Sequence, residues 1–369
     1  DPTLQFTVPG VSNGGSVITG EVSSGRLGSS MTSGDFNADG RIDLAVSGEG
    51  YSSNTGRAYI FYNDGAYPTT AATADVIITG EATSNYFGVS IASGDFNADG
   101  RIDLVVSADG YSSNTGRAYI FYNDGTYPTT AATADVTITG EATNNYFGYQ
   151  SLASGDFNSD GRVDLAVGGY GYSTSTGRAY IFYNDGSIPT TAATADVTIT
   201  GGATSNRFGS TIASGDFNSD GRTDLVIGAD GYTTYTGRAY IFYNDGTLPT
   251  TAGTADVTIT GEATSNAFGH AFTAGDFNAD GRIDFAVSGY GYSSSTGRAY
   301  IFYNDGSIPT TAATADVIIT GGATSNSFSI AITSGDFNAD NRTDLVVGAT
   351  GYSSSTGRAY IFYNDGSIP

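Results

Sequence analysis

Nine residues beginning at Asp35 set oxygen-bearing side chains at alternate positions: Asp35, Asn37, Asp39 and Asp43, with Arg41 at position 7. The run Asp-Phe-Asn-x-Asp-Gly-Arg-x-Asp is then written again. It returns as Asp95, Asn97, Asp99, Arg101 and Asp103, and as Asp156, Asn158, Asp160, Arg162 and Asp164. Three more copies hold Asp216, Asn218, Asp220, Arg222 and Asp224; Asp276, Asn278, Asp280, Arg282 and Asp284; and Asp336, Asn338, Asp340, Arg342 and Asp344. Side-chain oxygens at positions 1, 3, 5 and 9, joined by the backbone carbonyl of the Arg at position 7, form a donor set suited to a hard cation, and calcium is the ion expected. Gly at position 6 permits the sharp turn, and the sixth copy has Asn341 there, the next most tolerant residue of positive φ. The expectation is about six calcium ions, one per copy; the alternative is a set of metal-free Asx turns.

Charge supports a bound ion. Two carboxylates about 4 Å apart repel by roughly 4 kcal/mol at an effective dielectric of about 20, and each loop holds three. These positions account for 18 of the 37 acidic residues, and six divalent ions would move the formal charge from −23 to −11. The remaining acidity excludes nucleic acid, whose phosphates demand a basic patch. No apolar run is long enough for membrane insertion. The chain has no Cys, so disulfides are excluded. Catalysis has little support: His270 is the single His, and no nucleophile motif accompanies it. The reading is therefore a protein that is not an enzyme. Calcium sites of the extracellular type bind with Kd of about 10⁻⁴ to 10⁻³ M and would be empty at cytosolic calcium levels, so the expected location is secreted, extracellular or on the cell surface.

The elements that position these loops come from the repeat. The first Asp of each copy falls at 35, 95, 156, 216, 276 and 336. Within one unit, four short β-rich runs are separated by Gly, Asn, Asp and Ser punctuation: Phe87 to Phe96, Leu104 to Ser107, Arg117 to Tyr122, and Val136 to Thr139. The loop joins the first run to the second. The turn Asn123-Asp124-Gly125 fits a reversal that makes the third and fourth runs antiparallel neighbours. Ala118 to Tyr122 puts bulk on both faces, so both faces must be covered. The fold predicted is all-β, a single domain over 1–369. It is a six-bladed β-propeller of four-stranded antiparallel blades at 27–80, 87–140, 147–201, 208–261, 268–321 and 328–364. The last copy stops without a fourth strand, and Ser16 to Gly20 matches Val76 to Gly80. Closure by this N-terminal strand docking on the last blade is expected. A bulge is expected around Tyr149-Gln150-Ser151, where the third copy has an extra residue.

Phe87-Gly88, Phe147-Gly148, Phe208-Gly209 and Phe268-Gly269, each followed by the Asp-rich loop and a segment such as Leu104 to Gly110, resemble the FG-GAP repeats of integrin α-subunit propellers and bacterial surface proteins. The resemblance spans nearly the whole chain. It departs in having six blades where integrin propellers have seven, and Leu27-Gly28 and Phe328-Ser329 break the pair in the end copies. The resemblance implies that the Asp loops lie on one face, with the remaining loops forming an opposite, ligand-binding face.

On that opposite face the copies differ most. Val89, Tyr149, Ser210, His270 and Ile330 share one position, and Tyr51, Tyr111, Tyr172, Tyr232, Tyr292 and Tyr352 are supplemented by Tyr170, Tyr235 and Tyr290. A tyrosine rim could stack on sugars or anchor a protein; packing between blades is expected for the six repeated ones. A ring of Arg opening each third strand, as at Arg57 and Arg117, is expected to pair with carboxylates. The leading function is an adhesion, protein-binding or assembly module with a protein or glycan ligand and possible self-assembly; the alternatives are a calcium-stabilised lectin or an enzyme accessory domain.

Overall fold

The computed structural model describes residues 18–352, apart from 66 and 339, and residues 358–365. Every repeat folds into an antiparallel meander whose strands follow chain order, four strands in the first five repeats and three in the sixth among the described residues. These are the blades of a six-bladed β-propeller, the fold class expected from the repeat. In the second repeat the strands are Phe87–Gly94, Asp103–Ala108, Arg117–Phe121 and Val136–Thr139. The first pairs with the second, the second with the third, and the third with the fourth, all antiparallel. The structure shortens the first run by two residues, because Asp95 and Phe96 already belong to the Asp-rich loop.

The chain divides into two compact units. One holds residues up to Ser154 together with Asn184–Thr194; the other holds Gly155–Tyr183 and the chain from Ala195 on. In the first unit, Ile60, Ile78, Phe87, Leu104, Val106, Tyr119 and Phe121 form one buried cluster. Phe87 meets Tyr119 and Phe121 edge-on at 5.4 and 6.3 Å, the arrangement that ring quadrupoles favour. The second unit repeats this with Phe268 against Tyr300 and Phe302 at 5.3 and 6.2 Å. The second strand, Asp103–Ala108, is buried along its whole length, which explains why its sequence does not alternate between apolar and polar.

Three features of the glycines and turns fix the blade ends. Gly116 has φ +81°, and a Cβ there would lie 2.3 Å from the carbonyl oxygen of Phe147. That close approach lets Gly116 form a parallel bridge with Phe147 of the following repeat. Ahead of it, Tyr111–Asn114 makes one tight turn in which Ser112, Ser113 and Asn114 all have positive φ. The same turn recurs in other repeats, as at Tyr51–Asn54, and among the described residues helix is otherwise confined to three-residue turns such as Ala131–Thr133. In the third repeat, the extra residue gives a nine-residue first strand, Phe147–Gly155, with Gln150 at φ +47°. Register shifts also occur in the corresponding strands Leu27–Gly34, Phe87–Gly94 and Phe328–Gly335, so irregularity there belongs to several copies.

Of the segment 16–20, residues 16 and 17 lie outside the described residues. Thr19 forms a parallel bridge with Thr70, as Thr79 does with Thr130.

Candidate functional site

The second loop shows how the acidic residues are held. Asp95 accepts from the backbone N–H of Asp99 at 3.1 Å and from that of Gly100 at 2.8 Å. Asn97 accepts from the Asp99 N–H at 3.0 Å and donates its side-chain amide to Asp99 Oδ2 at 3.1 Å. Asp99 Oδ1 accepts from Arg101 N–H at 2.9 Å. The same bonds recur around Asp35, Asp156, Asp216, Asp276 and Asp336. Gly100 sits at φ +85° with nothing within 4 Å of an added Cβ, so conformation alone demands glycine there. Asn341 takes φ +65° at the same place, as its type predicts. The sequence reading missed the left-handed residue at position 4: Ala98 and Ser159 have φ of +59° and +60°.

Position 9 stands apart from the others. Asp103 is fully buried; its Oδ2 accepts from Phe96 N–H and its Oδ1 from Asn123 N–H, both at 2.7 Å. It therefore ties the loop to the end of the third strand. Burial pushes the Asp103 carboxyl up to about 6, the amides of Asn123 and Phe96 pull it back, and Asp99 and Asp95 add to the rise. Asp224 is raised to about 6 for the same reasons. Positions 1, 3 and 5 are more open: Asp95 is half-buried, and Asn97 and Asp99 are exposed. Among the described residues, no three acidic or His side chains converge as the ligands of one ion would. The residues match a calcium loop in type and order, while their oxygens are turned toward amides of their own loop.

A second residue at this end of the sheet has a task that sequence reading assigned only to a turn. Asn123 donates its side-chain amide to the carbonyl of Phe36 in the preceding repeat's loop at 2.8 Å. Asn184 reaches Phe96, Asn244 reaches Phe157, Asn304 reaches Phe217, and Asn364 reaches Phe277 in the same way. The first five Asp loops are thus each braced by the next repeat. Phe277 is 1% exposed, whereas Phe337, for which no such brace occurs among the described residues, is 40% exposed. The signal was legible: the Asn is the same in all six copies.

With this geometry in view, the FG-GAP-like repeat family matches residues 35–106, 95–167 and 276–347, and the FG-GAP repeat family matches 208–242. The chain belongs to the FG-GAP repeat family. Integrin alpha-PS5 of Drosophila melanogaster is 32% identical over 58% of this chain and 22% of its own length. Integrin alpha-5 of Xenopus laevis is 33% identical over 43% of this chain and 15% of its own. Phosphatidylinositol-glycan-specific phospholipase D of Rattus norvegicus is 38% identical over 37% of this chain and 18% of its own. The chain thus spans about a fifth of the length of these relatives. No helix among the described residues is long and apolar enough to cross a membrane.

At the opposite end of each FG-GAP blade, the repeated tyrosines lie against an Arg of their own repeat. The guanidinium that opens the third strand lies over the ring of the same repeat: Arg57 over Tyr51, Arg117 over Tyr111, Arg178 over Tyr172 and Arg298 over Tyr292, all at 3.7 Å. Arg57 meets Glu21, Arg117 meets Glu81 and Arg298 meets Glu262, the pairing with carboxylates expected of these residues. Tyr235 is 48% exposed.

One group at this end is unlike anything in the other repeats. Asp230, with a side chain 2% exposed, lies 3.2 Å from His270 Nδ1 and 3.4 Å from Arg207 through its Oδ2. Its Oδ1 is buried and has no hydrogen-bond partner. The His270 ring lies 4.6 Å from that of Tyr290, and Arg207 lies 4.5 Å from the ring of Tyr170. The residues singled out from sequence because they break the repeat, Tyr170, His270 and Tyr290, are thus gathered around one buried carboxylate.

Proposed function

We propose that this FG-GAP propeller is a calcium-binding, non-catalytic module that works outside the cell or at its surface and binds a protein ligand through the loops opposite the Asp loops. The observation that carries the calcium reading is the sixfold return of the same donor order, with left-handed geometry at position 6 wherever Gly or Asn supplies it. Binding would require Asp95, Asn97 and Asp99 to turn from their loop amides toward the ion; Asp103 would join from the buried side, with the carbonyl of Arg101. The similarity to segments of integrin alpha chains supports a protein ligand. The group around Asp230 is the natural anchor, because it offers a cation, an imidazole and two aromatic rings in one place. Open tyrosine faces, which a lectin would use for stacking, are covered by Arg in the repeated positions.

Titration of the calcium-stripped protein tests this directly. Calorimetry should give several sites with Kd of about 10⁻⁴ to 10⁻³ M, and amide resonances of Asp99, Gly100 and Arg101 should move as their partners turn away. Each site at 1 mM ion and a Kd near 10⁻⁴ M adds roughly 1.4 kcal/mol of stability, so EGTA should lower the melting temperature. A melt unchanged by EGTA together with silent loop amides would defeat the calcium reading.

A further inference from the structure

The ion pairs between Glu and the stacked Arg are not present in every blade, and their loss leaves a shaped space. In the fifth repeat, Glu262 Oε1 accepts from Arg298 Nη1 at 2.5 Å and from the Tyr300 hydroxyl at 2.6 Å, while Asn266 donates to that hydroxyl oxygen at 3.1 Å. Arg298 is stacked on Tyr292 and its Nε donates to Thr320. In the fourth repeat every partner of that carboxylate is kept: Arg238 lies 3.8 Å over Tyr232, its Nε donates to Thr260 at 3.0 Å, and Tyr240 and Asn206 stand in the places of Tyr300 and Asn266. The carboxylate itself is gone, because Gly202 occupies the Glu position. A cavity of about 380 Å³ lies there, lined by Gly202, Asn206, Tyr232, Arg238 and Tyr240. The sixth repeat repeats the substitution: Gly322 replaces Glu, and a cavity of about 480 Å³ is lined by Arg358, Tyr352, Tyr360 and Asn326.

Glycine is not needed at either place. A Cβ on Gly202 or Gly322 would meet nothing within 4 Å, and neither residue has a positive φ. Among the described residues, no acidic side chain pairs with Arg238 or Arg358. Arg238, held by stacking and by an Nε hydrogen bond with the Tyr240 phenol beside it, is a preorganised receptor for a planar anion; Arg358 is held instead by stacking on Tyr352 and by donating to its hydroxyl.

We propose that the Gly202 and Gly322 cavities are binding sites for a carboxylate on a short aliphatic arm, supplied by a free acid or by a Glu side chain of another protein, and that Glu262 shows within the same chain how such a carboxylate seats. This inference concerns the edge of the blade and stands apart from the calcium reading.

The probe is propionate, whose arm and carboxylate match a Glu side chain, titrated against the whole chain at fixed ionic strength and calcium, with propionamide as control. A Kd on the order of 1–10 mM is within reach of so small a ligand. Saturable shifts of the Arg238 and Tyr240 resonances are expected with propionate and not with propionamide. Gly202→Glu should abolish those shifts and leave the ones at Arg358; adding Gly322→Glu should abolish both. These variants only restore a pair that other repeats already contain, so they keep the fold testable. Glu262→Gly should create a further site at Arg298. A short capped peptide with a central Glu that binds at least tenfold tighter than propionate, and loses that gain when Glu becomes Gln, assigns the carboxylate to a protein; equal affinity assigns it to a free acid. Shifts that fail to saturate, or that persist unchanged in the Gly202→Glu, Gly322→Glu protein, would overturn the proposal.

Discussion

Asp109 offers a test of the electrostatics on a carboxylate outside the Asp loops. It is 8% exposed, and its Oδ1 has no hydrogen-bond partner. Burial pushes its carboxyl up to about 7 from 3.8, Glu49 adds to the rise, and the amides of Asp109 and Gly110 offset only part of it. A carboxyl that holds its proton more tightly when folded gives stability that is complete below the unfolded value near 3.8 and is lost as pH rises through about 7. Relative to the unfolded chain, whose carboxyl is ionised at both pH values, the buried group costs about 4 kcal/mol at pH 8 and about 2 kcal/mol at pH 5. Asp109→Asn removes the titration, and whatever the amide costs in burial is the same at both pH values. Tyr170, Tyr290 and Thr350 hold this position in other repeats, so the backbone accepts an uncharged side chain. The stability of the Asn variant relative to the parent should therefore improve by about 2–3 kcal/mol between pH 5 and pH 8, equivalent to about 3–4 °C in Tm for a chain of this size. Thermal melts of both proteins at fixed salt and calcium measure it. An offset between parent and variant that is identical at the two pH values would refute the buried-charge argument.

The brace between repeats can be weighed by comparing two Asn residues. Asn123→Ala should cost about 1–3 kcal/mol, because it orphans the buried Phe36 carbonyl; Asn63→Ala breaks an exposed bond to Ile42 within its own repeat and should cost less than about 0.5 kcal/mol. Equal losses in chemical denaturation would show that the brace carries no stability. Glycines separate in the same manner. Gly116→Ala drives a Cβ to 2.3 Å from the Phe147 carbonyl oxygen and should cost more than about 3 kcal/mol, whereas Gly100→Ala meets open space and should lose only about 1–2 kcal/mol from its positive φ. A Gly116→Ala protein that melts with the parent would contradict the close approach.

Much of the blade was legible before any coordinates. The spacing of the Asp loops gave the repeat, and the Asn-Asp-Gly turns gave the antiparallel third and fourth strands. Bulk on both sides of Ala118 to Tyr122 gave sheets covered on both faces, and the Gly or Asn at position 6 has the φ its residue type announced. What could not be read along the chain involves side chains with several partners in reach. The six repeated tyrosines each lie under the Arg of their own repeat, a contact that the sequence reading did not assign. The four loop side chains were read as one equivalent ligand set, but burial sets Asp103 apart from Asp95 and Asp99, and only the third strand's return beside the loop makes that so.

The repeat by itself determined the fold, since a pattern of strand, turn and glycine written six times admits few arrangements that cover every sheet. Partnership was decided by tertiary structure. Glu262 and Arg298 stand 36 residues apart, and nothing local in either segment says that they meet; the same separation ending in Gly202 reads as a neutral change until the sheet brings Arg238 and Tyr240 to the vacated place. Periodicity is a property of the backbone and can be read along the chain, whereas a charge finds its partner through space.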